Sequence, residues 1–511
     1  MLAASKSKTS FAIRRFVNFF KIFLTNKRGV LGLVILVVSS TIAIIAPLIA
    51  SNDPVQATYV AGDFAAPIWL KWFSGEQGFS ENLQLINEPG FPTMASVTDD
   101  WNFTSTSENI DLAYEQNEGS PLSGPGSVEI LFRRPAGKPL VGMAEAHLTS
   151  KEPLNFPYES PPKLFICNMS IRASGVENLR ALYVLLSIRR VENDTAYVVW
   201  NKKFSSSQNW TFPTISSYST QMRALFSPGG FNLTVDPAKV VFSQPDQYVL
   251  DLRVSFDDTK LDMNEKRVVT TMFIDDFNIK AYGTTYGILG TDQWGRDIWS
   301  QMVYGARISL FVGLFAAFIG VIIGLVVGLA AGYVGRIVDE ILMRTTDILL
   351  VLPTLPLLLV LIAVLGPSLM NLVVLIGFLG WMGFARVVRS QVLSLKERPF
   401  IEAAKSVGAG KFHIITRHVL PNVMSLVYVS LALSVPTAII SEAALSFLGL
   451  FDPSVISWGR MLHDAQTIEG GLDKWWWWLP PGVAIALVSL SFILLGYAID
   501  EILNPKLRKR R

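Results

Sequence analysis

The sequence predicts an α-helical polytopic membrane protein with six transmembrane helices and a β-rich domain inserted after the first of them. Three observations carry this. Half of the 511 residues are hydrophobic and only 17% are charged, against about 25% in an average soluble protein. The missing charge is concentrated in discrete apolar stretches, which marks membrane spans rather than one large soluble core. Between residues 71 and 283 the pattern reverses: acids become frequent, apolar runs shorten and alternation takes over. The mean hydropathy is +0.38. The net charge of +3 means little until it is divided by location. A single cysteine, Cys167, excludes an intrachain disulfide and a thiolate metal cluster, and four scattered histidines suggest no metal site.

Residues 1–28 carry Lys6, Lys8, Arg14, Arg15, Lys21, Lys27 and Arg28 with no acid, and residues 29–50 then run without charge. That apolar run matches about 30 Å of hydrocarbon at about 1.5 Å per residue. A cleaved signal peptide is the competing reading. The apolar run exceeds the usual length of a signal core, and Leu48 is not the small residue expected before a cut after Ala50. The stretch reads as an uncleaved first span, its basic lead in the cytoplasm by the positive-inside rule.

The segment 51–285 should then lie outside. Within it residues 128–132, 163–167, 196–200, 248–254 and 268–274 are rich in β-branched and aromatic side chains and separated by Pro, Gly, Asn and Asp. They read as strands of a sandwich spanning about residues 71–283. Trp69, Trp72 and Phe79 near its start are expected as core anchors. Asn-x-Ser/Thr triplets at Asn102, Asn168, Asn193, Asn209 and Asn232 fit an exported surface, but composition alone produces some of them.

Residues 286–500 hold five further apolar stretches, 308–333, 348–365, 369–388, 423–440 and 479–499. Six spans return the C-terminus to the cytoplasm. Charge checks this independently: residues 386–417 carry seven Lys or Arg and the tail 501–511 carries five, both on the expected inner side. Trp475 to Trp478 precede Pro480, Pro481 and the last span, where an aromatic belt should meet the outer interface.

The inner loop 389–421 is the most informative stretch. Pro399 can open a helix because its missing N–H has no partner there. Glu402 falls in the first turn, facing the positive end of the helix dipole. Phe400, Ala403, Ala404 and Val407 share a face at helical spacing, and Gly408 ends the helix. A short amphipathic helix with a small-residue face, outside the bilayer, makes sense as a docking peg.

This stretch resembles the EAA loop of ABC importer permeases: Glu402, Ala403 and Ala404, then three residues, Gly408, and the correct spacing to Pro421. His418 replaces the general isoleucine. Arg417-His418-Val419-Leu420-Pro421-Asn422 is similar to the form found in dipeptide and oligopeptide permeases. Leu289 to Asp297, Tyr304 to Leu310, the set Val338, Asp339, Glu340, Met343, Arg344, Asp347 and Pro353, and Leu445 to Leu450 with Ser457, Trp458, Gly459, Met461 and Leu462 resemble the C-type subunit of that group. The likeness covers residues 286–505 and, more loosely, the first 70; it says nothing of the insert.

The resemblance implies a type I ABC importer fold in the cell membrane, and a non-enzymatic subunit forming half of a translocation pathway for di- or oligopeptides. The implied partners are a second permease, two ATPases, an extracytoplasmic substrate-binding protein and the bilayer, with no nucleic acid. ATP and magnesium would reside in the partners and no cofactor in this chain. Glu402, Ala403, Ala404, Gly408 and Pro421 would form the coupling element. Related systems also carry oligosaccharides or nickel chelates.

Several features admit two readings. Gly408-Ala409-Gly410-Lys411 lacks the first glycine, the Ser/Thr and the preceding strand of a phosphate loop. Glu442, near the outer end of the fifth span, is either a substrate contact or a locally paired charge. Asp292, Arg296 and Asp297 either order the approach to the second span or line the outer mouth. The insert either docks the binding protein, binds ligand, or stabilises the assembly. The whole chain could instead be an ion-gradient-driven transporter, which normally shows broken helices and intramembrane charge, or a receptor with an ectodomain.

Overall fold

The computed structural model describes residues 20–503 except 75–77, 89–90, 92, 123, 125, 228–233 and 264. Most of the basic lead, the charges of the C-terminal tail and the triplet at Asn232 lie outside the described residues. The chain divides into two units, Met1–Thr58 with Asp297–Arg511, and Tyr59–Arg296.

In the first unit, α1 (Lys27–Ile49) starts at Asn26, whose side chain accepts from the N–H groups of Arg28 and Gly29. The Asn26 amide also donates to the Glu501 carboxylate at 2.9 Å, tying the start of α1 to the end of the last helix. α2 (Ile298–Val334) is followed by α3 (Arg336–Val351), α4 (Thr354–Leu365), α5 (Leu369–Phe378), α6 (Met382–Lys396), α7 (Pro399–Ser406), α8 (Leu420–Phe447), α9 (Trp458–Thr467) and α10 (Trp475–Leu503).

Among the described residues, five helical stretches are long and apolar enough to cross a membrane: Lys27–Ile49, Ile298–Val334, Leu369–Lys396, Lys411–Phe447 and Trp475–Leu503. A sixth requires counting α3 and α4 as one, and they meet at 91°. The expected straight span 348–365 is therefore broken. The cause is local: Pro353 forces Leu352 into an extended conformation (φ −69°, ψ 133°). The last span also differs from expectation. α10 begins earlier than expected, at Trp475, and runs through both prolines, with Trp475 exposed and Trp477 buried.

α2 is the central strut. Apolar helices in lipid gain little from hydrophobic burial against one another and rely on close packing through small residues. A Cβ on Gly324 would stand 2.8 Å from the Trp381 carbonyl oxygen, and one on Gly328 2.6 Å from that of Ala385. At these glycines the backbones of α2 and α6 thus approach each other directly.

The second unit is a β-sandwich. Its strands are β1 (Leu83–Glu88), β2 (Trp101–Ser105), β3 (Ile110–Glu115), β4 (Ser127–Arg134), β5 (Gly142–Ser150), β6 (Leu154–Phe156), β7 (Leu164–Ser174), β8 (Ala181–Arg190), β9 (Ala196–Phe204), β10 (Gln208–Thr211), β11 (Thr214–Ser216), β12 (Asp246–Asp258) and β13 (Val268–Tyr282). One sheet has the order β10-β7-β13-β4-β3, with β1 on β13 and β11 on β7. The other runs β2-β5-β12-β8-β9, with β6 on β12. Each of the five expected strand segments falls in one of these strands, save that Lys163 lies just before β7. Among the strands not anticipated is β8, where Ala181–Ile188 is apolar but for Ser187 and shows no alternation.

Alternation does set β12: Tyr248, Leu250, Leu252, Val254 and Phe256 all turn inward. The sheets meet through Phe132 stacked on Phe256 at 5.3 Å and Trp101 edge-on to Phe277 at 5.5 Å. Arg134 and Asp258 form a fully buried ion pair between the ends of β4 and β12, 2.7 Å apart. Arg134 spends its remaining donors on the carbonyls of Lys138 and Met263. Trp72 is not a core anchor: it is 83% exposed, because it sits on a helix of only four residues, Lys71–Ser74, outside either sheet. The unit closes on itself. Tyr59 and Val60 donate to the carbonyls of Trp294 and Gly295, and Ala66 pairs with Thr285 in a parallel bridge.

Replacing Gly328 by leucine should force α2 and α6 apart. The expected result is loss of monodisperse protein on size-exclusion chromatography in detergent, while the exposed-side Val326→Leu leaves it unchanged.

Candidate functional site: an exposed loop helix and a cavity in the helical unit

α7 forms for the reasons legible in its residues. Arg398 is the extended N-cap, Pro399 occupies the first turn, and Glu402 follows in it. The helix ends at Val407, and Gly408 adopts φ +86°, a left-handed conformation that glycine takes without strain. Its N–H reaches the Lys405 carbonyl, and that of Ala409 reaches the Ala404 carbonyl.

The faces divide differently from the expected single apolar stripe. Ile401 is fully buried and packs with Val392, Ile414, Val419 and Val423, with Ala404 and Ala409 against the same cluster. Phe400, Ala403, Val407 and Glu402 point outward, Val407 at 90% exposure. A buried Ile401 therefore anchors the helix, and a small, partly apolar face is left for something else. Beyond it a π-turn over Ile415–Val419 leads into α8. Pro421 has no N–H to continue a regular ladder, and the Asn422 side chain donates to the His418 carbonyl at 2.7 Å.

α3 is tied to α6 by charge. Arg389 holds Asp339 through its guanidinium, Nη2 to Oδ2 at 2.6 Å, and Arg386 holds Asp347. Lys396 donates to the Tyr333 carbonyl at 3.0 Å. α6 leads directly into α7.

A cavity of about 480 Å³ opens between α2, α4, α5, α6 and α8. Ser430, Ser434, Thr437 and Ser441 line it from α8, at the spacing of one helical face, opposite Gly380 and Gly383. These hydroxyls were missed in the sequence. Their signal was present, as Ser/Thr recurring with helical period inside an apolar run.

The other expected site residues are placed plainly. Glu442 is 2% exposed and accepts from the Ser446 hydroxyl at 2.7 Å; it does not line that cavity. Asp292 accepts from the N–H groups of Trp294 and Arg296 and from the Arg296 side chain at 2.7 Å. Asp297 caps α2 through the N–H groups of Trp299 and Ser300. Geometry gives these acids structural partners. The described residues hold no group of His, Cys, Asp and Glu side chains suited to a metal.

A bundle of long apolar helices, a hydroxyl-lined cavity and an exposed loop helix following α6 are the parts of a membrane permease. Comparison with known proteins agrees. The family model described as "binding-protein-dependent transport system inner membrane component" matches residues 296–509, and that of the "N-terminal TM domain of oligopeptide transport permease C" matches residues 15–67. The "Dipeptide transport system permease protein DppC" of Bacillus subtilis (strain 168) is 43% identical over 222 residues, 43% of this chain and 69% of that protein. The "Oligopeptide transport system permease protein OppC" of the same organism is 38% identical over 222 residues, 43% of this chain and 72% of that one. Among solved structures, the inward-facing MetNI methionine ABC transporter is similar at 20% identity with a TM-score of 0.31, over 40% of this chain and 95% of that one. The chain belongs to the family of binding-protein-dependent transport system inner membrane components, the permease subunits of ABC transporters.

The ion pairs between α3 and α6 should be coupled. In a double-mutant cycle, Asp339→Asn and Arg389→Gln each lower the thermal midpoint in detergent. Their combination should fall short of additivity by about 1 kcal/mol, as expected for a partly exposed pair.

Proposed function

We propose that this chain forms half of the translocation pathway of an ATP-driven importer for di- or oligopeptides. It acts with a second permease, two ATPases that carry the ATP and magnesium, and an extracytoplasmic binding protein. The observation that carries the reading is α7: an anchored helix whose outward face is Phe400, Glu402, Ala403 and Val407, with the spacing to Gly408 and Pro421 intact. The peptide substrate is supported by the names of the relatives.

In this mechanism ATP-driven closure of the ATPases pushes α7, α6 transmits the displacement to the bend at Pro353, and the hydroxyl-lined cavity is alternately exposed to each side. Glu402, Ala403, Ala404, Gly408 and Pro421 form the coupling element. Both termini lie in the cytoplasm and the sandwich lies outside.

Two tests follow. Glu402→Lys should abolish co-purification of the ATPases with the tagged chain and peptide uptake together; retention of both would remove α7 from the coupling role. Orientation can be read by cysteine labelling, because burial pushes the Cys167 thiol well above its ordinary pKa and keeps it unreactive. Leu261→Cys, on a residue 82% exposed, should react with an impermeant maleimide on intact cells. Val407→Cys should react only after permeabilisation, and the reverse pattern would invert the topology.

A further inference from the structure

The helical unit has a second cavity, of about 640 Å³, where the segment following α1 meets the first turns of α2. Its walls include Ile308, Phe311, Leu369 and Ile456, which are apolar, and two exposed groups of opposite charge, Arg307 and Asp53. The two charges are not an ion pair. The Arg307 guanidinium lies 5.7 Å from the Tyr304 ring centroid, and among the described residues no carboxylate pairs with it. Asp53 is held through one oxygen, Oδ1, which accepts from the N–H groups of Val55 at 2.8 Å and Gln56 at 2.6 Å. Its other oxygen has no hydrogen-bond partner among the described residues.

The location adds to the case. α2, at 37 residues, is about 55 Å long and exceeds a hydrocarbon core of about 30 Å. Its charge-free stretch begins at Ile308, so Arg307 stands where the helix leaves the apolar zone. A cation and an anion that face one cavity and leave each other unpaired, with apolar walls between, complement a zwitterion bearing apolar side chains. A phosphate would satisfy Arg307 and be repelled by Asp53; a neutral sugar would leave both charges without a counter-ion. The volume is that of a small-molecule site.

We propose that this cavity binds a short peptide in transit, with Arg307 pairing with its α-carboxylate, Asp53 with its α-ammonium group, and the wall formed by Ile308, Phe311 and Leu369 covering a side chain. The inference rests on the peptide-importer reading above and names a recognition site for it within this chain.

The test uses the assembled permease–ATPase complex without its binding protein, and equilibrium dialysis of radiolabelled Ala-Phe, its C-terminal amide and its N-acetyl derivative. Wild type should bind Ala-Phe about tenfold or more tighter than the amide. Arg307→Gln should erase that preference and keep the preference over the N-acetyl peptide. Asp53→Asn should do the converse, and Arg307→Lys should restore most of the carboxylate preference, which excludes misfolding as the cause. Equal losses for all three peptides would overturn the proposal. So would a stabilisation by phosphatidylethanolamine that Arg307→Gln removes while the amide preference stays, since the charges would then serve a lipid headgroup. Uptake of Ala-Phe by proteoliposomes carrying the wild-type complex and its binding protein separates the two levels. Uptake with no charge-specific binding sinks this site alone; no peptide uptake sinks the peptide reading and this site with it.

Discussion

Every backbone N–H and C=O of a segment that crosses hydrocarbon must be satisfied within the segment, and the helical unit is organised around where that rule can be relaxed. α2 obeys it without interruption over Ile298–Val334 and serves as the strut against which the others pack. The breaks are few and local. Leu352 and Pro353 turn the chain through 91°, residues 379–381 separate α5 from α6, and a π-turn precedes Pro421. Each break involves a proline or glycine, and at the third a side-chain amide, that of Asn422, takes up the His418 carbonyl beside the proline. Broken helices in a membrane bundle are where backbone can move at low cost, and these breaks flank the cavity and the loop helix.

A different constraint explains how a sandwich can be carried in the middle of a permease sequence. A domain inserted into a bundle must not pull its two attachment points apart. Here the ends of the insert are bonded to each other, Tyr59 to Trp294 and Val60 to Gly295. The unit therefore presents its host with adjacent ends, as tolerated insertions generally do. Its own stability comes from a core of its own, with paired aromatic side chains and the buried Arg134–Asp258 pair. Removing one member of such a pair is strongly destabilising, because it strands a charge away from water.

In the loop helix, anchoring and presentation are separated by one side chain. Ile401 holds α7 to the rest of the unit, and its burial lets Phe400, Ala403 and Val407 remain exposed without loosening the helix. The ion pairs of Arg386 and Arg389 hold α6, which leads into α7, to α3.

Composition and period were enough to separate the apolar membrane helices from residues 71–283, because charge and alternation report directly on the surrounding solvent. Spacing alone also located α7 and its end at Gly408, since capping and left-handed glycine are local effects. Tertiary structure decided the rest. Pro353 marks a break locally, but that α3 and α4 meet at 91°, and that α3 is held to α6 through Arg386 and Arg389, is not written in residues 336–365. Whether Trp72 anchors a core, or which side of α7 faces in, depends on what packs against it. β8 was hidden because side chains on both of its faces are largely buried, and such a strand shows no alternation for a sequence to display. The hydroxyl face of α8 and the unpaired Arg307 and Asp53 became meaningful only when distant segments placed them on common cavities, a juxtaposition that no local pattern encodes.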